Sequence, residues 1–283
     1  MSDRPRGRIV YSTDPDPEPA PQLDYLIIES TYGDRLHPGI EQSEDDLARV
    51  VGETARRGGK TVIPAFALER TQEVVYSLHR SILAGKLDPL PIFVDSPLAI
   101  DATDVFRLHS EVFDDETKDF LVRHEDPFGF RQLTYTRDVE ASKAINQWKG
   151  PAVIISANGM VEAGRILHHV KNNIEDERNT ILFVGFQAEN TLGRRLEDGA
   201  KRARIFGEEY TVRAQIARAD GFSAHADRGE LLDWVRPIAK DLKGLFVVHG
   251  EPPAAQSLAE GMRELGAQNV VVPTRGQSID LTS

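Results

Sequence analysis

Thr61-Val62-Ile63-Pro64-Ala65-Phe66-Ala67-Leu68-Glu69-Arg70-Thr71 is the stretch that decides the fold class. Its first four residues are short, β-branched and nearly continuous in apolar character, which is how a strand buried on both faces reads. The chain then passes through a loop into a helical pattern over Arg70–Leu83, and a second strand-like run follows at Pro91–Val94. Strand, helix and strand in this order favour a parallel pair. The alternation continues outward. Further strand candidates are Arg8–Ser12, Tyr25–Ile28, Ala152–Ser156, Thr180–Val184, Gly244–Val248 and Asn269–Val272; further helical patterns are Gln42–Arg57, Ala102–Leu108, Glu162–Lys171, Gly229–Val235 and Ala254–Leu265. An α/β architecture with largely parallel sheets is expected. Asp14-Pro-Asp-Pro-Glu-Pro-Ala-Pro21 cannot join a central strand, because each proline removes a ladder donor.

Composition narrows the chemistry. At 283 residues with 40% apolar content, the chain can bury a core and form one large or two interleaved domains. It has no cysteine, so any metal must sit on His, Asp or Glu. No run approaches the roughly 18 apolar residues of a membrane helix, and the N-terminus lacks the apolar core of a signal peptide. These features point to a soluble, cytoplasmic protein. A net charge of −11 argues against coating nucleic acid by charge alone, although a local basic groove is compatible with an acidic whole. From Arg194 to Arg218 seven Lys/Arg stand against four acids, a run that is more commonly a solvated face than a binding one.

Three strand ends share a design. Val94 is followed by Asp95-Ser96-Pro97, Pro64 by Ala65-Phe66-Ala67, and Ile155 by Ser156-Ala157-Asn158-Gly159-Met160. In open α/β sheets ligands bind outside the carboxyl ends of strands, where helix N-termini attract anions. The alternative is that these residues only cap helices and close turns. Glu29, ending the Tyr25–Ile28 run, is either a pocket carboxylate or the first polar residue past a strand. His225, in Gly221-Phe-Ser-Ala-His225-Ala-Asp227, is open between general acid, ligand and helix cap. His249 directly follows Leu245-Phe246-Val247-Val248, a position from which a neutral imidazole can reach a metal. His168 and His169 point to different sides of their helix, so at most one faces a given site. His37, His79, His109 and His124 lie among charged residues and are expected to be solvated.

Leu26-Ile27-Ile28-Glu29-Ser30-Thr31-Tyr32-Gly33, Ser156-Ala157-Asn158-Gly159-Met160 with Gly164 and His168-His169, the Phe222-Ser223-Ala224-His225 run, and Val248-His249-Gly250-Glu251 together resemble the ordered motifs of the β-CASP family of metallo-β-lactamase-fold RNA-processing nucleases. The resemblance implies a Rossmann-like parallel-sheet β-CASP module over residues 37–219, flanked by metallo-β-lactamase sandwich segments at 1–36 and 220–283, with RNA in the cleft between the domains. It implies two zinc ions, with His249 as a ligand and His225, supported by Glu29, as the donor that protonates the leaving oxygen. The strand-end loops, together with the family-like run through His168, make Asp95, Ser96, Ser156, Gly159, Met160 and His168 the candidate RNA or phosphate contacts. The logic is coherent, because phosphodiester hydrolysis needs charge neutralisation at phosphate and a proton for the departing ribose oxygen. A histidine hydrogen-bonded to a carboxylate is kept protonated near neutral pH.

The departures are informative. The family's His-x-His-x-Asp-His zinc motif is absent, and in Tyr11-Ser12-Thr13-Asp14 only Asp14 matches the family's aspartate ligand. Because a catalytic zinc site needs about three protein ligands, the expectation is a metal-dependent ribonuclease in truncated or split form. It would be completed by an N-terminal half-protein or work as a homo-oligomer. The alternative is a non-catalytic RNA- or partner-binding homologue. If the first half of the sandwich is missing, the strands near Tyr25–Ile28 and Gly244–Val248 expose apolar faces or edges, and the isolated chain aggregates or assembles.

Overall fold

The computed structural model describes residues 17–113, 115–124 and 126–281. Asp14 and the expected strand Arg8–Ser12 lie outside the described residues. The order of elements is β1 (Tyr25–Glu29), α1 (Ile40–Arg56), β2 (Lys60–Pro64), α2 (Arg70–Leu83), β3 (Ile92–Val94), α3 (Pro97–Leu108), α4 (Asp115–His124), β4 (Leu133–Tyr135), α5 (Val139–Gln147), β5 (Ala152–Ser156), α6 (Arg165–Asn173), β6 (Thr180–Phe183), α7 (Leu192–Glu197), β7 (Arg202–Ile205), β8 (Glu208–Thr211), β9 (Gln215–Arg218), α8 (Arg228–Val235), β10 (Gly244–Val248), α9 (Pro252–Glu264) and β11 (Val270–Val271). Among the described residues no helix is long and apolar enough to cross a membrane.

The chain forms two compact units, one from 17–37 and 225–281, the other from Pro38–Ala224. The second unit is built on a six-stranded parallel sheet in the order β4-β3-β5-β2-β6-β9. Alternation along its central strands sorts side chains onto two cores. Ile63, Val153 and Ile155 pack with Leu47 and Val51 of α1 and Val74, Val75 and Leu78 of α2. Val62 and Ile154 pack with Ile166 and Val170 of α6 and Leu192 and Leu196 of α7. Strands covered on both faces have no polar side to show, which explains the continuous apolar runs read at β2 and β5. The hairpin β7–β8 is antiparallel and separate from this sheet.

The first unit is a three-stranded parallel sheet, β1-β10-β11, with β10 in the middle. Its core joins Leu26, Ile28, Leu245 and Val247 to Leu232 and Val235 of α8 and Leu258 and Met262 of α9. Residues of the opposite pleat, Ile27, Phe246 and Val271, lie in register, and Ile27 is 70% exposed. The two strands expected to lose neighbours thus pair with each other, and of the opposite pleat Ile27 stays exposed while Phe246 and Val271 are partly buried.

Candidate active site

Glu29, His225 and His249 all belong to the first unit. β1 and β10 run parallel with Glu29 opposite Val248, so the residues just past both strands are neighbours. Ser30 donates through its hydroxyl to the Val248 carbonyl at 2.8 Å. Gly250 then passes so close to Ser30 that a Cβ would lie 2.5 Å from the Ser30 carbonyl oxygen, which explains glycine at that position. His225 arrives from another direction, three residues before α8. There Asp227 caps the helix: its side chain accepts from the Glu230 N–H, and Glu230 accepts from the Asp227 N–H, a reciprocal capping box. Asp227 also accepts from the His37 N–H at 2.8 Å and forms a β-bridge with Tyr32. Asp227 is therefore the cap, and the His225 side chain is left for other work.

Thr31 lies at the centre. Its hydroxyl is 3.3 Å from Nδ1 of His225, 3.3 Å from Nδ1 of His249 and donates to the His249 carbonyl at 3.1 Å. Glu29 Oε2 is 3.0 Å from His225 Nδ1 and accepts from the Thr31 N–H at 3.0 Å. Burial opposes ionisation of Glu29, but the hydrogen bonds from His225 and Thr31 outweigh it and hold the carboxyl below its ordinary value. An ionised Glu29 fixes the tautomer of His225 with the proton on Nδ1 and leaves Nε2 as the position for proton transfer. The two imidazoles lie 5.4 Å apart, and His249 has a left-handed φ of 53°. A non-glycine residue in that region is strained, and such strain collects at sites that must aim a side chain.

The same three residues offer metal-ligating atoms within 4.8 Å of one another. Zinc binds nitrogen and oxygen at about 2.0–2.2 Å in tetrahedral geometry, which puts the donors of one ion roughly 3.5 Å apart, so the cluster would have to close by about 1 Å to share an ion. Two imidazoles and a carboxylate are donor types that zinc takes. Glu29 is already engaged with His225, so His249 is the donor the geometry leaves most open. Among the described residues this is the one group of three such donors.

The candidate phosphate contacts lie in the second unit, and several need correction. Asp95 is fully buried: Oδ2 is 2.6 Å from His169 Nε2 and accepts from the Ser142 hydroxyl at 2.5 Å, while Oδ1 accepts from Arg165 at 2.7 Å. Ser156 donates to the Asp95 carbonyl at 2.8 Å. Both side chains are spent inside a packed network and cannot also contact phosphate. Ser96 accepts from the Ala99 N–H and caps α3, the bland alternative. Gly159 is buried, and its carbonyl accepts from Gln187; the Met160 carbonyl accepts from the Gly193 N–H. Of the histidine pair, His169 faces Asp95, and His168 is exposed against the Phe206 ring.

Three further side chains escaped the sequence. Thr31 gave no signal, because its role depends on strand register. His37, expected in solvent, is half-buried, 4.4 Å from the Tyr32 ring and 3.2 Å from the His225 carbonyl through Nε2. His79, also expected in solvent, is buried; it stacks on Phe130 and hydrogen-bonds the Pro127 carbonyl. His109 is exposed beside Glu111 as expected.

Comparison with known proteins matches this architecture. The family model for the Beta-Casp domain matches residues 71–196, and that for the Zn-dependent metallo-hydrolase RNA specificity domain matches residues 209–273. A ribonuclease of Thermus thermophilus is 34% identical over 280 residues, 96% of this chain and 63% of that protein. An RNase J-like protein of Methanocaldococcus jannaschii is 35% identical over 257 residues, 90% of this chain and 58% of its own length. A transcription termination factor, FttA, of Methanosarcina mazei is 32% identical over 257 residues, 88% of this chain and 40% of its own length. The chain spans less than two thirds of each of these relatives. With both family models matched in order and the parallel α/β sheets in place, the chain belongs to the β-CASP family of metallo-β-lactamase-fold proteins.

Proposed function

We propose that this chain serves in zinc-dependent hydrolysis of RNA phosphodiesters, contributing the proton-transfer pair Glu29–His225 and the zinc ligand His249. The observation that carries the reading is the convergence of these three side chains on Thr31, from segments far apart in sequence. Zinc, when bound, supplies Lewis-acid neutralisation of the phosphate and acidifies water. The chain's own contribution is positional: Glu29 holds His225 through Nδ1–H, so that the imidazolium formed when Nε2 takes up a proton from water passes that proton to the departing ribose oxygen, and the Thr31 hydroxyl orients both imidazoles. RNA as substrate is supported by the RNA specificity domain matched at 209–273 and by the relatives named ribonucleases.

A second reading, a homologue that binds RNA or a partner without cleaving, has one observation in its favour. Two zinc ions need more donors than the single group present among the described residues. The exposed Ile27, in register with the partly buried Phe246 and Val271, is in keeping with cover by further polypeptide, an N-terminal half or a second copy. Metal analysis of the purified chain, with an RNA cleavage assay with and without zinc, separates the readings. The hydrolase reading expects zinc-dependent cleavage, lost in His225→Ala with zinc retained and lost together with zinc in His249→Ala. RNA binding without cleavage at any zinc concentration selects the second.

A further inference from the structure

The hairpin β7–β8 turns through two residues, Phe206 and Gly207, with Ile205 paired to Glu208. Both turn residues have positive φ, 52° and 84°, the two-residue turn whose first position favours Asn, Asp or Gly. Phenylalanine is a poor choice there on backbone grounds, since bulky residues are rare in the left-handed region. Nor is the cost offset by burial, because Phe206 is 53% exposed. Its neighbour is His168 of α6, also exposed, with ring centroids 4.6 Å apart and a tilt of 37°.

Cations lie on the same hairpin and on the helix beside it. Lys171, one helical turn beyond His168, lies 5.5 Å from the Tyr210 ring and pairs with Glu208; Arg204 donates to the Gly207 carbonyl, the turn's own backbone. Arg202 pairs with Glu209 on the same hairpin. Glu175, which accepts from the Thr211 N–H, balances these charges, so it is the exposed flat rings, beside an Arg204 committed to a backbone carbonyl rather than a carboxylate, that offer unpaired bases a stacking surface and a phosphate a cation. A duplex, whose bases are already stacked, offers such a surface nothing but its backbone.

We infer that Phe206 and His168 form a base-stacking platform for single-stranded RNA on the second unit. This rests on the RNA reading above and adds a site that belongs to neither the Glu29–His225–His249 cluster nor the strand-end loops.

The turn chemistry supplies a discriminating variant. Phe206→Asn suits the left-handed backbone better than the native residue, so the hairpin should hold or gain stability while the ring is lost. Fluorescence anisotropy of the full chain with a short labelled single-stranded RNA, and with the same sequence as a duplex, reads the effect. The expected result is a loss of roughly five- to hundredfold in single-strand affinity for Phe206→Asn. Duplex affinity and the urea midpoint should be kept, and Phe206→Tyr should retain binding. A Phe206→Asn chain that binds single strands as tightly as the parent overturns the platform, as does an equal loss on the duplex. Failure of the unmodified chain to bind any RNA overturns the RNA reading and the platform with it; binding that is insensitive to Phe206 overturns the platform alone.

Discussion

Thr31→Val removes one hydroxyl from the centre of the site at nearly constant volume. The hydroxyl donates to the His249 carbonyl at 3.1 Å and lies 3.3 Å from both imidazole Nδ1 atoms, and Thr31 is buried. A typical hydrogen bond contributes about 1 kcal/mol net. The bond to the carbonyl, together with the weaker, longer contacts to the rings, therefore comes to about 1–2 kcal/mol of stability. The larger consequence is positional. Without the hydroxyl His249 loses the side-chain hydrogen-bond contact at its Nδ1, while His225 keeps Glu29. Misplacement of a reacting or ligating group by about 1 Å costs on the order of a hundredfold in rate. We expect kcat/KM for RNA cleavage to fall roughly ten- to hundredfold, with zinc affinity falling in parallel and Thr31→Ser retaining most of both. Imidazole nitrogen chemical shifts report the geometry directly: His249 should shift and His225 should keep its Nδ1–H tautomer. A Thr31→Val chain with parental imidazole shifts and parental kinetics would refute the central role of this hydroxyl.

His249→Gly should leave the chain no less stable than the parent, although it removes the proposed zinc ligand. Relief of the left-handed backbone gains about 1–2 kcal/mol, glycine's extra unfolded-state entropy returns about 0.5–1 kcal/mol, and His249→Ala should show no such gain in urea unfolding. Glu29→Gln should be less stable than the parent at neutral pH. Because the Glu29 carboxyl is held below its ordinary value in the fold, its contribution is present above the ordinary carboxylate range and fades as pH falls through the lowered value, so parent and variant should converge in acid. Glu197 behaves oppositely. Its side chain is 7% exposed, and burial pushes its carboxyl up to about 7 against the pull of Arg218, 3.5 Å away. An acid raised in the fold contributes stability fully present below its ordinary value of 4.5 and lost as pH rises through about 7. Glu197→Gln should match the parent near pH 5 and exceed it above pH 8 by up to about 3 kcal/mol; equal pH profiles in urea unfolding would count against the assignment.

The elements most legible in the sequence are those whose partners lie on both sides. β5 and α2 fall where the apolar runs place them, because covered strands and a long amphipathic helix carry their own periodicity. β4, β7, β8 and β9 did not announce themselves. Their exposure alternates or is largely polar, and their pairing depends on partners distant in sequence, such as β3 for β4 and β6 for β9. The histidine pair shows a signal that was present but unused. The buried stripe of α6 is Ile166, His169, Val170 and Asn173, the spacing of one helical face, and it selects His169 over His168 for the interior. Similarly, His79 follows Val75 and Leu78 on the core side of α2, and nearby charges said nothing about its direction.

The site itself was legible in its titratable members and hidden in its geometry, and the reason is register. Glu29 and His249 each stand at the end of an apolar run, which marks them individually, but only the parallel pairing of Glu29 with Val248 brings Thr31 between the imidazoles. A slip of one residue would turn Glu29 to the opposite face of the sheet and put Ser30 in its place. Two features oppose the slip: the core pleat Leu26, Ile28, Leu245 and Val247, and the close passage of Gly250 over Ser30. The same buried residues that stabilise the first unit therefore also fix the distance between the acid and the two histidines, so core substitutions at Ile28 or Val247 should disturb the site without touching it.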